Sequence, residues 1–380
     1  MLKKRIAIFF PYFTTGGGEV VTAWTIEALK DKCEVFLFTF GRISAEVFNK
    51  SYGTNLVTGD FKIIRPPFAF LLEKIPGGLL KYHLLIRYFK HFSIKFDVPF
   101  GTYKEADFGY MGIQYIHFPD LDLERYDLKL SFLEKLYYKT FFLKNLYKKF
   151  CYTISGYNEN EMKKNVTLVN SVWTKEMVMK NFGINSSVVY PPVLDDFIKV
   201  EFLNKDNNFV CIGRISPVKE IKKIIEIIRL VRQAGFDVNL HIIGSVENNS
   251  YCKEVIALQK ENPWIFLDGE VSREKLVSII SHNKYGINGR KDEHFGIGVV
   301  EMTKAGCIVF VPDGGGQVEI VDEPQLRYKN ELDAAKKITE VLLDKNLQIK
   351  IQKNLLLQSR KFSEDNFKKD IREIVQEFIK

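Results

Sequence analysis

The sequence predicts an α/β protein built from two doubly wound domains. Apolar runs with the length of strands alternate with amphipathic stretches with the length of helices, and this alternation occurs twice along the chain. The 380 residues suffice for two domains of ordinary size. Hydrophobic residues make up 46% of the chain and charged residues 27%, which is typical of globular proteins with a large core and excludes a disordered chain.

The first alternation starts at the N-terminus. Arg5–Pro11 is predicted to be a strand that leads through the turn Gly16–Gly18 into a helix from Glu19 to about Lys30. The next strand is predicted at Glu34–Phe40. The first apolar run is short and lacks the small-residue cleavage site of a signal peptide, so we interpret it as a strand and not as a targeting segment.

The second alternation repeats this order in the C-terminal half. Strands are predicted at Phe209–Gly213, Val238–Gly244 and Trp264–Leu267, and a helix at Glu220–Ala234 follows the first of them. This strand–helix–strand order predicts a second doubly wound domain.

A linker is predicted between the two halves. Tyr190–Val193 contains two prolines, and the polar run Asn204–Asn208 follows it. We therefore predict an N-terminal domain at residues 1–195 and a C-terminal domain at 196–361. Residues 362–380 carry apolar side chains at helical spacing, which predicts a final amphipathic helix that returns toward the N-terminal domain.

Charge and cysteine content restrict the class of protein. The formal net charge of +8 favours an anionic partner, but no nucleic-acid-binding motif is recognised, so no nucleic-acid partner is predicted. The five cysteines are widely spaced and form no CxxC pair, which disfavours a zinc site or a disulfide framework and favours the reducing cytoplasm. No run approaches the roughly 20 apolar residues of a membrane-spanning helix.

Two glutamates around a glycine pair form the most specific chemical pattern. Glu293 and Glu301 have seven residues between them, including Gly296 and Gly298. A helix that starts near Gly296 would direct its free backbone amides at an anion. Glu301 could then accept two ribose hydroxyls, and Glu293 could reach a sugar hydroxyl. The alternative is a solvated glutamate pair.

A basic pair follows the first predicted strand of the second domain. Arg214 and Lys219 come directly after Gly213 and its strand. Ligands of open α/β sheets bind beyond the carboxyl ends of strands. Because a guanidinium grips two phosphate oxygens at once and an ammonium supplies a compact charge, the pair suits a diphosphate. The alternative is ordinary surface charge.

The glycine turn Gly16–Gly18 lies between the first strand and the first helix. Glycines allow close backbone approach to a ligand and expose the amides of a helix start. The run matches neither the Walker pattern nor GxGxxG, so P-loop and dinucleotide sites are disfavoured. The alternative is a tight structural turn.

His117 lies between apolar residues and Pro119. A neutral imidazole can donate a hydrogen bond to a substrate hydroxyl, and near pH 7 it can exchange a proton. The alternative is a structural histidine. The carboxylates of Asp120 and Asp122 follow, but no other oxygen ligands are near them in sequence, so no metal site is predicted.

Two stretches, Phe68–Phe92 and Lys129–Phe150, interleave leucines and aromatic residues with lysines. Helices of this composition can lie on an anionic bilayer with their apolar face toward the lipid. The alternative is that the aromatic side chains pack on the sheet while the lysines reach water. The sequence leaves both interpretations open.

Taken in their order along the chain, these motifs resemble glycosyltransferase family four. Glu293 with the run Phe295–Glu301 is similar to the signature of that family, and the resemblance extends from the glycine turn to about Glu319. It implies the GT-B fold, in which two Rossmann-like domains face each other across a cleft. Three further segments resemble, more narrowly, the α-1,2-mannosyltransferase branch of lipid-linked oligosaccharide assembly: Asn170–Thr174, Tyr190–Val193 and Ile116–Pro119.

The resemblance also implies roles for individual residues. Arg214 and Lys219 would bind the donor diphosphate, and Glu301 would bind the ribose hydroxyls. Glu293 would hold the transferred sugar, and His117 would lie beside it. Catalytic roles are thus implied for His117, Glu293, Arg214 and Lys219. The further residues implied to contact the donor, with Gly269 and Val271 around the nucleobase, are Gly16, Gly17, Gly18, Gly213, Gly269, Val271, Phe295, Gly296 and Ile297.

The implied function is that of a retaining, metal-independent glycosyltransferase that needs no cofactor. It would move a hexose from a nucleotide diphosphate sugar to a hydroxyl of a glycan or a lipid-linked saccharide, in polysaccharide or glycoconjugate synthesis. The breadth of the family favours a UDP-sugar, and GDP-mannose is the alternative that the mannosyltransferase-like motifs support. An NDP-sugar epimerase of the same fold and a non-catalytic nucleotide-sugar binder are further alternatives.

The expected location is the cytoplasm, with peripheral contact at the inner face of an anionic membrane. The segment Gly314–Glu319 is close to a glycine turn of the family but carries Gln317 as an insertion. This departure, together with the unusual region Phe68–Phe150, leaves the acceptor open more than the donor.

Overall fold

The chain forms two compact units. The computed structural model describes residues 3–13, 16–72, 78–92, 95–119 and 141–380, with the backbone alone for 141–145. One unit is Met1–Pro192 with Glu364–Lys380, and the other is Val193–Ser363. The boundaries predicted from the sequence are 195/196 and 361/362. Each unit contains a parallel β-sheet with helices, which confirms the predicted α/β class.

The N-terminal unit is built on a seven-stranded parallel sheet of order β3-β2-β1-β4-β5-β6-β7. β1 and β2 lie where strands were predicted. Residues Ile6–Phe9 of β1 are fully buried, as expected for a strand covered on both faces. The strands are β1 (Lys4–Phe9), β2 (Cys33–Phe38), β3 (Phe61–Ile64), β4 (Val98–Gly101), β5 (Ile113–Ile116), β6 (Val166–Val169) and β7 (Ser187–Val188).

The helices of this unit begin and end at residues suited to their termini. Two of them start at Ser44 and Ser171, whose side chains accept a hydrogen bond from the backbone amide three residues on. The same two helices end at Gly53 and Gly183 in the left-handed conformation. The helices in the described ranges are α1 (Gly17–Leu29), α2 (Ala45–Tyr52), α3 (Ala69–Leu72), α4 (Gly78–Lys90), α5 (Phe141–Ser155), α6 (Glu159–Met162) and α7 (Val172–Phe182).

An aromatic core holds α4 against the sheet. The ring of Phe9 lies 4.7 Å from that of Phe89 in an edge-to-face arrangement and 5.1 Å from those of Phe38 and Phe108. Lys81 on α4 is only 6% exposed. For α4 the packing interpretation therefore holds, and this helix does not present its lysines and aromatics to a membrane.

The second lysine-rich stretch is described from residue 141 onward, so residues 129–140 lie outside the described residues. On α5, Leu146, Tyr147 and Phe150 are exposed, as is Lys149. None of the helices in the described ranges is both long and apolar enough to cross a membrane.

The C-terminal unit is built on a six-stranded parallel sheet of order β10-β9-β8-β11-β12-β13. Strands were predicted at the places of β8, β9 and β10. The strands are β8 (Asp206–Ile212), β9 (Leu240–Ile243), β10 (Ile265–Gly269), β11 (Asn283–Ile287), β12 (Ile308–Pro312) and β13 (Arg327–Tyr328).

The helices of the C-terminal unit cover this sheet with apolar faces. On α8, for example, Ile221, Ile224, Ile225 and Ile228 are buried at helical spacing. The helices of this unit are α8 (Ile221–Gln233), α9 (Ser250–Glu261), α10 (Arg273–His282), α11 (Ile297–Lys304), α12 (Glu331–Leu343) and α13 (Lys345–Ser359).

The last helix, α14 (Glu364–Ile379), belongs to the N-terminal unit. It buries Phe367, Ile371 and Val375, and it packs against α1. Arg372 Nε donates a hydrogen bond to the carbonyl oxygen of Ala28 at 2.7 Å. The predicted apolar spacing therefore gives this helix the face with which it packs.

Shortening Ile371 is expected to destabilise the N-terminal unit. Its side chain is fully buried, and its truncation leaves a cavity that the surroundings fill only in part. We expect Ile371→Ala to lower the free energy of unfolding by about 2–5 kcal/mol, measured as a lower urea midpoint. Glu373→Ala, on the exposed face of the same helix, is the control. Equal midpoints in the two variants would contradict the packing of α14.

Candidate active site

The candidate site of the C-terminal unit lies where its parallel strands end. Gly213 follows β8, Gly289 comes shortly after β11, and Gly314–Gly316 follow β12. Ligands of open parallel sheets bind beyond such carboxyl ends. α11 begins at Ile297 with Gly296 at its N-cap, as the sequence predicts. Its first backbone amides lack intrahelical partners and favour an anion.

Glu293 is the buried charge of this site. Its Oε2 lies 2.5 Å from Lys219 Nζ, and its Oε1 lies 3.6 Å from Arg290 Nη1. The residue is 8% exposed. Burial would raise the pKa of this carboxyl, but Lys219 and Arg290 more than offset that effect and hold the pKa below its ordinary value. Glu293 is therefore ionised at neutral pH.

The glycine turn after β12 fixes the backbone at Glu293. The amide of Gly316 donates a hydrogen bond to the carbonyl oxygen of Glu293 at 2.7 Å. Gly315 has a φ of +74°, and a β-carbon there would lie 2.4 Å from that same oxygen. Only glycine combines this conformation with such close approach, so a side chain here would displace Glu293.

Gln317 ties the same turn to the loop before Glu293. Its side chain is fully buried. Nε2 donates to the carbonyl oxygen of Arg290 at 2.7 Å, and Oε1 accepts from Asn288 Nδ2 at 2.6 Å. The glutamine that departs from the family pattern thus has its side chain fully occupied inside the C-terminal unit.

Arg214 and Lys219 occupy the loop after β8. Lys219 packs over Gly213, where a β-carbon would lie 3.2 Å from Lys219 Cε. Arg214 is exposed, and among the described residues it has no hydrogen-bond or ion-pair partner. Of these two cations, Lys219 is therefore paired with a carboxylate and Arg214 faces solvent.

Glu301 lies in α11 and contacts Arg273 at the start of α10. Arg273 Nη1 donates to Glu301 Oε1, while Nε and Nη2 donate to the two carboxylate oxygens of Asp196 at 3.0 and 2.6 Å. Burial raises the pKa of Glu301, and Arg273 offsets part of that rise. The two glutamates of the motif therefore differ in their electrostatic surroundings.

The sequence analysis missed the two arginines that contact these glutamates. Arg290 lies three residues before Glu293, so its proximity could have been read from the sequence. Arg273 is 28 residues away from Glu301, and no local pattern signals that contact.

At the other predicted donor-binding positions of this unit, the groups that a ligand could contact are mainly those of the backbone. Gly269 ends β10 with a φ of +73°, and its carbonyl oxygen accepts a hydrogen bond from the Gly244 amide at 2.8 Å. Val271 is half-buried just before α10. The ring of Phe295 is buried and meets the ring of Phe362 edge to face at 5.4 Å, so it belongs to the core.

The glycine turn and His117 come together in the N-terminal unit. Gly16 is the N-cap of α1, whose first residue is Gly17. A β-carbon on Gly18 would lie 3.4 Å from His117 Nε2. Asp120 and Asp122 lie outside the described residues. Within the described ranges, no group of three or more histidine, cysteine or acidic side chains is placed to hold a metal ion.

The imidazole of His117 is in a fixed neutral form. Its Nε2 lies 3.0 Å from the carbonyl oxygen of Thr102, which can only accept, so Nε2 carries the proton. Burial lowers the pKa of His117 to about 4. The expected proton exchange near pH 7 is therefore not supported, and Nδ1 is left as an acceptor and not as the donor that the sequence analysis expected.

Comparison with protein families supplies a match for the C-terminal unit. Residues 194–356 match the family model described as glycosyl transferases group 1. Relatives cover nearly the whole chain. The Dictyostelium discoideum GDP-Man:Man(3)GlcNAc(2)-PP-Dol alpha-1,2-mannosyltransferase is 21% identical over 98% of this chain and 85% of its own length. The Homo sapiens enzyme of the same description is 21% identical over 99% and 87%.

Solved structures share the fold. A glycosyltransferase from Rickettsia africae superposes with a TM-score of 0.67 at 18% identity, covering 100% of this chain and 99% of its own. Anabaena HepE in complex with UDP superposes with a TM-score of 0.70 at 14% identity, covering 98% and 100%. These likenesses confirm the GT-B fold class and, at this identity, show the fold alone.

A methyl group at Gly315 is expected to disturb the site more than one at a glycine with free space. Gly235 is the matched control, since its φ is +97° and nothing lies within 4 Å of an added β-carbon. The left-handed conformation alone costs an alanine roughly 1–2 kcal/mol. We expect Gly235→Ala to lose about that much stability and Gly315→Ala clearly more, measured by urea unfolding. Equal losses would contradict the contact with Glu293.

Proposed function

The chain is a glycosyltransferase of the family-four type, and we propose that it transfers mannose from GDP-mannose to a hydroxyl of a lipid-linked saccharide. The observation that carries the proposal is the group of cations and helix-start amides around Glu293, which suits a sugar joined to a diphosphate. Two relatives that match nearly the whole chain are described as GDP-mannose-dependent mannosyltransferases. The finer choice of donor and acceptor rests on them.

The donor diphosphate is proposed to bind between Arg214, Lys219 and the start of α11. An ammonium has three N–H donors, so Lys219 can keep Glu293 and still bind a phosphate oxygen. Arg214 is exposed and can turn toward the second phosphate. The amides at Ile297 and Gly298 add two further donors.

The sugar and the ribose are proposed to bind the two glutamates. Glu293 is ionised, and as an acceptor it would hold a hydroxyl of the transferred mannose. Glu301 would accept the ribose hydroxyls near the nucleobase, whose neighbours would be Gly269 and Val271. The contact between Glu301 and Arg273 brings the proposed ribose site to the start of α10, which closely follows Gly269 and Val271.

The relatives change the preferred donor. The breadth of the family favoured a UDP-sugar, but the relatives are described as using GDP-mannose. Anabaena HepE in complex with UDP shares only the fold with this chain. We therefore propose GDP-mannose first and keep a UDP-sugar as an outcome of the test.

We propose that transfer retains the anomeric configuration and needs no metal. The bond from the anomeric carbon to the diphosphate breaks while the acceptor oxygen bonds to the same face of that carbon. The proton of the acceptor hydroxyl passes to the departing diphosphate oxygen. Arg214, Lys219 and the α11 amides would stabilise the negative charge that grows on this oxygen. Electrostatic stabilisation of this kind usually contributes most to catalysis.

A lipid-linked acceptor has to be reached at a bilayer surface, and α5 carries features that fit one. Leu146, Tyr147 and Phe150 are 53%, 43% and 55% exposed, and their spacing places them on one side of the helix. Lys149 is exposed beside them. An exposed apolar face with a lysine suits an anionic membrane interface. We propose peripheral binding through this surface.

The donor proposal predicts that the protein binds GDP. It also predicts that the protein releases GDP from GDP-mannose when a lipid-linked saccharide is present, even in EDTA. Lys219→Ala and Arg214→Ala are each expected to weaken GDP binding about tenfold or more, because a hydrogen bond between charged groups contributes about 1.5–3 kcal/mol. Calorimetric titration with GDP and UDP measures this. Lys222→Ala removes an exposed lysine that pairs with Glu254, and it is the control.

Other results would point elsewhere. Tighter binding of UDP would replace GDP-mannose by a UDP-sugar, an isomerised donor would indicate an epimerase, and binding without turnover would indicate a non-catalytic binder. Activity that disappears in EDTA and returns with manganese would contradict metal independence. Unchanged GDP affinity in both Lys219→Ala and Arg214→Ala would remove the diphosphate assignment.

The membrane proposal predicts that the protein sediments with anionic vesicles at low salt and less so as salt rises. Each lysine near an anionic surface contributes about 1 kcal/mol, and the attraction fades within a Debye length. Combined Lys149→Glu and Phe150→Ser should reduce the bound fraction without changing GDP affinity. Lys253→Glu changes an exposed lysine of α9 in the other unit, and it is the control. Protein that stays in the supernatant with both anionic and neutral vesicles would leave a soluble glycan as the acceptor.

A further inference from the structure

We propose that Arg273 is a positioning residue that orients the carboxylate of Glu301 for the ribose of the donor, and that Asp196 in turn orients Arg273. The inference rests on the proposed function, because it takes Glu301 as the ribose-binding group. Neither Arg273 nor Asp196 belongs to a motif that the sequence analysis recognised.

The three side chains come from three separate segments of the C-terminal unit. Asp196 lies in the extended segment before β8, Arg273 is the first residue of α10, and Glu301 lies in α11. Arg273 holds Asp196 through two hydrogen bonds, from Nε at 3.0 Å and from Nη2 at 2.6 Å. Its third nitrogen, Nη1, contacts Glu301 Oε1. One planar guanidinium therefore fixes the position of two carboxylates.

The contact leaves the second oxygen of Glu301 for a ligand. Glu301 Oε1 is held by Arg273, and among the described residues Oε2 has no hydrogen-bond partner. An ionised carboxylate has about four acceptor positions on its two oxygens. A guanidinium that occupies one of them sets the rotation of the group and still leaves room for two neighbouring ribose hydroxyls.

Arg273 also favours the charged form of Glu301. The Glu301 side chain is 12% exposed, and burial favours its neutral form. Among the described residues, the charged groups that act on its pKa are Arg273, which lowers it, and Asp196, which raises it. Without Arg273 the carboxyl would take up a proton more readily and would accept fewer hydrogen bonds from a ribose.

A purely architectural role would explain the same contacts differently. Arg273 would then only fasten the segment at Asp196 to α10, and the ring of Phe197, whose centroid lies 5.3 Å from the guanidinium, would pack against it for stability. Loss of Arg273 would in that case weaken all nucleotides alike. A positioning role acts through the ribose hydroxyls alone, and this difference makes the two roles separable.

The test compares a nucleoside diphosphate with its 2′-deoxy form. Calorimetric titration uses GDP and 2′-deoxy-GDP, or the UDP pair if the wild type binds UDP better. The wild type should bind the ribose form about tenfold more tightly, as expected for a hydrogen bond to a charged group. In Arg273→Gln this ratio should fall to nearly one, with little change for the deoxy form. Lys275→Gln, exposed on the same helix, should keep the ratio.

A further variant and a change of pH keep the test decisive. Arg273→Lys preserves the charge but not the two-pronged grip on Asp196, so it should give an intermediate ratio even if Arg273→Gln folds poorly. In Arg273→Gln the ribose preference should recover only in part as the pH is raised, because Glu301 then loses its proton but still lacks the contact that orients it. In the wild type the preference should persist to a lower pH than in Arg273→Gln, because Arg273 lowers the pKa of Glu301.

Glu301→Gln separates failure of this inference from failure of the proposed function. A ratio that collapses in Glu301→Gln but persists in both Arg273 variants would overturn the role of Arg273 and leave Glu301 as the ribose-binding group. A wild type that binds both forms equally would remove the ribose assignment and the inference with it. Equal weakening of both forms in Arg273→Gln, with the ratio intact, would show an architectural role only.

Discussion

The ion pair between Lys219 and Glu293 is the constraint on which the site of the C-terminal unit depends. A carboxylate with 8% exposure is costly to bury unless it is paired and hydrogen-bonded. Its cations come from the loops after β8 and β11, and its backbone is held by Gly316 from the turn after β12. Three strand ends must therefore stay at fixed distances around one charge. A parallel sheet satisfies this because its carboxyl ends lie along one edge.

Positive side chains predominate in the loops that hold Glu293. Lys219 and Arg290 flank Glu293, and Arg214, in the same loop as Lys219, has no ion-pair partner among the described residues. These three cations outnumber the carboxylate of Glu293, and the proposed diphosphate would complete the balance of charge. Donors that are already in place need little reorganisation as charge develops on a leaving group, which is the condition for effective electrostatic stabilisation.

The sequence predicted what depends on local patterns and missed what depends on distant contacts. The strands at β8, β9 and β10 and the helix start after Gly296 follow from apolar runs and glycine, which act over a few residues. Arg273 was missed because its partner is 28 residues away. The neutral state of His117 depends on burial, which no sequence pattern reports. The lysine-rich composition of α4 left a membrane surface and packing on the sheet both open, and the contact of the Phe89 ring with Phe9 shows that this helix packs in the core.

The two glutamates of the motif show how partners give one residue type two kinds of behaviour. Lys219 and Arg290 hold the pKa of Glu293 below its ordinary value, whereas burial raises the pKa of Glu301 despite Arg273. As pH falls, Glu301 therefore takes up a proton before Glu293 does. In the proposed donor site, the ribose contact would weaken while the sugar contact and the cations around the diphosphate are still charged. Acid sensitivity of donor binding would thus begin at the ribose, where a single arginine opposes the effect of burial.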